Sequence, residues 1–254
     1  MIASIVKKEL KSYLRSPMSF ILMGLFAICT GWIFFNFLIT YVENTQRLPL
    51  NMRKPLDFYS GVIFKFVANV NLIYLFIIPL ISMKSFAQEW SSKTIEIYFK
   101  APVSDFSLVM AKYLSTVIFA LMIFSVSLLY PILLTFIGLE DFTFVYTSYI
   151  SMILNIMAYC SLGIFVSSLT SNTITAGVMS FVGILFFWMI SFGLNISSDY
   201  FLIENLKFLS LTTHFERMIR GIFSFSDLSY YASFIFLFLF LTKKKLESRK
   251  WGIK

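Results

Sequence analysis

The side chains that most often do chemistry are few in this sequence and lie far apart. His214 is the only histidine. A metal centre needs several ligands at set spacings, and no HExxH or similar pattern surrounds His214, so a hydrogen-bonded structural role is expected for it. Cys29 and Cys160 each fall inside an apolar run, where a thiol packs rather than reacts. No GxxxxGK(S/T) phosphate loop is present, so no nucleotide or other cofactor is expected on this chain. What remains is polarity in unusual places. Lys65, with Asn69 and Asn71 nearby, interrupts an apolar run. A cation there either snorkels outward or lines an interhelical or pathway site. Glu9 is the second oddity. On a helical wheel Ile2, Ile5, Val6, Leu10, Tyr13 and Leu14 share one half, Lys7, Lys8, Lys11 and Arg15 the other, and Glu9 sits in the apolar half. Its carboxylate either bends out to water or meets a partner.

The elements that must position these groups follow from composition. The chain is 58% hydrophobic and 13% charged, with 31 Phe among 254 residues. Soluble domains carry about 25% charged residues, and a soluble fold of this length could not hide so much apolar surface. The net charge of +8 suggests nucleic acid at first sight. The basic residues, however, flank apolar runs as membrane borders do, so no nucleic-acid partner is expected. Crossing about 30 Å of hydrocarbon takes roughly 20 helical residues. Six runs fit: Met18–Val42, Gly61–Met83, Tyr113–Leu139 with a kink at Pro131, Tyr146–Leu169, Ile174–Ile196 and a short Leu228–Thr242. Lipid demands internal backbone hydrogen bonding and the runs do not alternate, so they are helices. The expected fold is an all-α polytopic bundle with one domain over residues 1–254.

Charge sets orientation. Fourteen of the 21 Lys and Arg residues lie before the first run, between the second and third, or after the sixth. The positive-inside rule then places both termini in the cytoplasm. Residues 1–16 read as an amphipathic helix at the membrane interface, ended by Ser16-Pro17. Residues 86–102 form a cytoplasmic stretch that mixes Trp90, Tyr98 and Phe99 with Glu89, Lys93, Glu96 and Lys100, and Pro102 bounds it. Such a mixture suits docking onto a protein better than lying flat on lipid. Residues 197–227 read as short outer helices dipping into the membrane, with Glu216 and Arg220 spaced to pair.

Glu89, Thr94, Glu96, Pro102, Ser104, Lys112 and Tyr113 together resemble the signature of type-2 ABC transporter permeases. Lys93 and Ala111 stand where that pattern has glycine. The opening VKKELKSYLRSP, the stretch PLISMKSFAQE and an outer segment carrying His214, Phe215, Arg220, Gly221 and Asp227 are similar to the gliding-motility permeases of the GldF type. The resemblance implies a non-catalytic permease of the bacterial inner membrane, most often an exporter. It implies a coupling helix over residues 86–102, with Glu89, Trp90, Thr94, Glu96, Tyr98, Phe99 and Pro102 receiving force. His214, Phe215, Glu216 and Arg220 would shape an outer gate. A cytoplasmic ATPase dimer would hold ATP and Mg, a second permease copy would complete the membrane unit, and a GldG-like extracytoplasmic subunit would join it. A secondary transporter or channel is the alternative, but no internal repeat is found and the spans are short of acids.

Overall fold

The computed structural model describes residues 2–47, 59–95, 98, 104–135, 143–193 and 208–251. Its elements are α1 (Ile2–Arg15), α2 (Pro17–Arg47), a π-helical turn (Tyr59–Ile63) leading into α3 (Phe64–Ser82), α4 (Ala87–Ser91) and α5 (Asp105–Ser125). A 3₁₀ turn (Val126–Leu128) then leads to α6 (Leu129–Thr135), α7 (Thr143–Leu169), α8 (Thr173–Gly193), α9 (Leu211–Ile219) and α10 (Phe225–Trp251). Among the described residues there is no strand. Six helical segments are long and apolar enough to cross a membrane, near the places expected from the sequence, although the third begins at Asp105 and not at Tyr113, which brings Lys112 inside it.

The helices outrun the sequence estimate at both ends of the chain. The first span extends to Arg47, and α10 continues past Thr242 to Trp251. Lys243 and Lys244 both pair with Glu247 within a turn, which sustains a polar helix beyond the apolar stretch.

The buried α7 is the centre of the bundle, whereas α2, α8 and α10 turn much of their surface outward. The α3–α7 contact is close because Gly163 faces Ser82. A Cβ on Gly163 would stand 2.7 Å from the Ser82 Cβ, so no larger residue fits there. Polar glue ties three spans together: Asn155 Nδ2 donates to Asn71 Oδ1 at 2.7 Å, and the Tyr231 hydroxyl donates to Asn155 Oδ1 at 3.4 Å.

Pro131 breaks the third span as expected, and the break is repaired from outside. Proline cannot donate to the carbonyl four residues back, that of Ser127. The Tyr149 hydroxyl of α7 donates to that carbonyl at 2.8 Å instead. In a bilayer an unsatisfied carbonyl is costly, so Tyr149 permits the 3₁₀ interruption of the helix.

Candidate functional site around Lys112

The N-terminal helix and the end of α10 both lie against the α4–α5 end of the bundle, and among the described residues the richest polar network lies there. Its centre is Lys112. This lysine belongs to VMAKYL on α5, and it is 1% exposed. Burying an ammonium is tolerable only if it is paired and hydrogen-bonded. Lys112 Nζ lies 2.9 Å from Glu89 Oε1 and 3.4 Å from Glu9 Oε1, and it donates to the Ser85 carbonyl at 2.6 Å. The Phe86 ring lies 5.1 Å away and the Tyr98 ring 5.8 Å away. One cation thus holds α1, the turn after α3, and α4 to the third span.

Glu9 is thereby explained. It breaks the apolar half of α1 because that half packs on α5, and the carboxylate reaches Lys112 there. The rest of the interface agrees. The Tyr13 ring stacks on Phe119 at 4.9 Å, and its hydroxyl lies 3.3 Å from Ser85 Oγ and 3.5 Å from Thr116 Oγ1. Burial pushes the Tyr13 phenol above its ordinary range. Lys8 Nζ donates to the Tyr98 hydroxyl at 2.6 Å, which in turn donates to Glu9 at 3.5 Å. Burial works against the Lys8 ammonium, but the Tyr98 hydroxyl and the nearby carboxylates outweigh it and hold Lys8 above its ordinary value.

The stretch expected as one helix over 86–102 is divided. Helix α4 ends at Ser91, the chain turns through Ser92–Thr94, and Lys93 adopts a left-handed φ of 56°. Lys93 stands where the family pattern has glycine, and glycine adopts that conformation most readily. The α4 N-terminus is fastened by Ser167 at the end of α7. Its Oγ accepts from the Phe86 and Ala87 N–H groups, each at 3.1 Å. Arg249 of α10 lies over the Trp90 ring at 4.5 Å and donates to the Leu169 carbonyl. Glu89, Trp90 and Tyr98 therefore point into the protein instead of forming an outward docking face. The outward residues are Gln88, Ser91, Ser92, Lys93 and Thr94, with Thr94 Oγ1 2.8 Å from Ser92 Oγ. Glu96, Phe99 and Pro102 lie outside the described residues.

At the opposite end, α9 carries the second polar cluster. His214 is buried, with Nδ1 2.6 Å from Asp227 Oδ1 and Nε2 2.9 Å from the Phe208 carbonyl oxygen. Its ring stacks on Tyr230 at 4.0 Å. Arg217 also pairs with Asp227 Oδ1, so two donors crowd one oxygen while Oδ2 stays buried without a partner. Phe215 is buried beside them. The expected Glu216–Arg220 pair gives way to Arg217–Asp227: Glu216 is exposed, and Arg220 lies over the Phe64 ring at 5.6 Å. Residues 194–207 lie outside the described residues.

The three polar residues of the second span separate. Lys65 is exposed, and Asn69 Nδ2 donates to the Lys65 carbonyl of its own helix. Only Asn71 is buried, in the tie with Asn155. Sequence reading missed Lys112 as a hub, together with Ser167, Asn155 and Arg217. Lys112 stands just ahead of the expected third run as one of its basic flanks, so the available signal was the glutamate in the apolar face of α1.

Residues 3–243 match the family model described as ABC-2 family transporter protein. The match spans nearly the whole chain, and the protein belongs to that family. No curated protein matches the sequence.

Proposed function

We propose that this member of the ABC-2 transporter family is a permease subunit of the bacterial inner membrane, with both termini in the cytoplasm, and that a separate ATPase dimer drives it through residues 86–102. ATP and Mg would be held by that ATPase. A second permease copy would complete the membrane unit, and export is the expected direction. Among type-2 permeases the chain resembles the GldF-like group, which would add a GldG-like extracytoplasmic subunit. His214, Phe215, Glu216 and Arg220 would then belong to its outer segment.

The observation that supports the coupling role most is the Lys112 hub. Energy released on another chain must arrive through a protein contact at the end holding the termini. A push on the outward face of α4 and the Ser92–Thr94 turn meets a rigid block, because Glu89 and the Ser85 carbonyl join it to Lys112 on the third span. Glu9 joins the same block to α1. Charge reversal at Glu89 would also break the hub, so outward residues make the cleaner test. Ser91→Glu with Lys93→Glu is expected to weaken co-purification of the ATPase about tenfold, as rim charges act on encounter and specificity. Insertion and thermal stability should match the parent. Parental ATPase capture and parental transport by the double variant would refute the coupling surface.

A further inference from the structure

A cleft of about 420 Å³ opens where α1 bends into α2 and faces the end of α3 and α4. Its size is that of a small-ligand site. One wall is apolar, built by Met18, Leu22, Leu80, Ile81 and the stacked Tyr13–Phe119 pair. The other is polar and carries Lys8, Glu9, Lys84, Gln88 and Glu89. Neither wall is complete in itself. Lys84 makes no hydrogen bond or ion pair among the described residues. Glu89 Oε1 is used by Lys112, but Glu89 Oε2 is buried with no hydrogen-bond partner. A buried carboxylate oxygen without a donor is costly, and a ligand that brings one would offset that cost.

We infer that this cleft binds a phospholipid with an ethanolamine headgroup, the phosphate set by Lys84 and Lys8 and the ammonium donating to Glu89 Oε2. The inference rests on the membrane reading of the six helices and not on the coupling role of α4. Two features favour a lipid over a soluble phosphate. The cleft lies at the elbow between an amphipathic helix and a membrane span, the depth at which headgroups sit. Met18, which lines the cleft, also begins an outward apolar stripe through Ile21, Leu25, Ile28 and Trp32 at helical spacing. An acyl chain leaving the cleft would follow that stripe. Charge separation in the headgroup matches the walls, cation toward carboxylate and phosphate toward lysine. A choline headgroup fits worse because its trimethylammonium has no N–H to donate to Glu89.

The test is native mass spectrometry of the purified full chain titrated with phosphatidylethanolamine, phosphatidylcholine, or water-soluble phosphoethanolamine. Phosphatidylethanolamine should bind about tenfold more tightly than phosphatidylcholine, the difference expected for one charged hydrogen bond. Lys84→Gln, which removes a contact to the phosphate common to both headgroups, should weaken both lipids by about tenfold. Ser12→Phe, which fills the cleft without touching the hub, should abolish retention. Equal retention of both lipids, or retention untouched by Lys84→Gln and Ser12→Phe, overturns the inference. Soluble phosphoethanolamine binding as well as the lipid overturns the lipid assignment. Circular dichroism on each variant separates loss of the site from loss of the fold.

Discussion

The two ends of the bundle each bury a charged cluster with one orphan carboxylate oxygen, and they solve the problem in opposite ways. At the end holding the termini, one lysine serves two carboxylates drawn from separate elements, Glu9 on α1 and Glu89 on α4. At the far end, one carboxylate serves two donors from a single local segment, His214 and Arg217 on α9. The first arrangement ties together elements that are distant in sequence. The second staples a short helix to the start of α10. Both orphan oxygens are buried, but the residues sit differently: Glu89 lines an open cleft, whereas Asp227 is fully enclosed.

The largest effect should come from removing the hub cation. Lys112→Met leaves Glu9 and Glu89 without their cation, and loss of one partner of a buried ion pair costs about 3–5 kcal/mol. Thermal unfolding in detergent should show that loss. A cysteine placed at Ile5, the buried residue of α1, should become more reactive as α1 leaves α5. If α1 stays protected and stability is unchanged, Lys112 is not what joins these elements. A triple change, Lys112→Met with Glu9→Gln and Glu89→Gln, should recover much of the loss, because no unpaired charge is left buried.

This comparison also shows what the sequence could and could not say. The spans were legible because a bilayer imposes length and apolarity on each helix separately. Pro131 was legible as an interruption, but not Tyr149, whose hydroxyl reaches the freed carbonyl from another helix. The hub was hidden for the same reason. Lys112 reads as one of several basic residues flanking a span, and Glu9 as a stray acid. Only packing of α1 on α5 brings them together. Likewise Glu216 and Arg220 have the right spacing, but burial favours the enclosed Asp227 as the acceptor.

Asp227→Asn should have a smaller effect, and a local one. Arg217 is 44% exposed and can turn to water, so the loss falls mainly on the His214 contact. About 2 kcal/mol is expected. Limited proteolysis should then cut near residues 208–227 while α1 keeps its protection. Equal loosening of α1 would mean that the two ends are coupled, and the contrast between hub and staple would fail.

The smallest effect should be a gain, and it concerns the turn beside the hub. Lys93 holds φ at 56°, a conformation that costs a non-glycine residue about 1 kcal/mol. Its N–H still donates to the Trp90 carbonyl at 3.3 Å, so the turn is fixed by its surroundings and the side chain bears the strain. Glycine removes that strain but gains freedom in the unfolded chain, which returns about half of the benefit. Lys93→Gly should therefore stabilise the isolated permease by about 0.5 kcal/mol. Lys93→Ala is the control that separates backbone from charge. It deletes the ammonium but keeps the Cβ that opposes a left-handed residue, so it should give no gain. Equal stabilisation by both would trace the effect to charge at a basic membrane border. A gain with glycine alone would place it in the backbone, at the one turn joining the outward face of α4 to the hub.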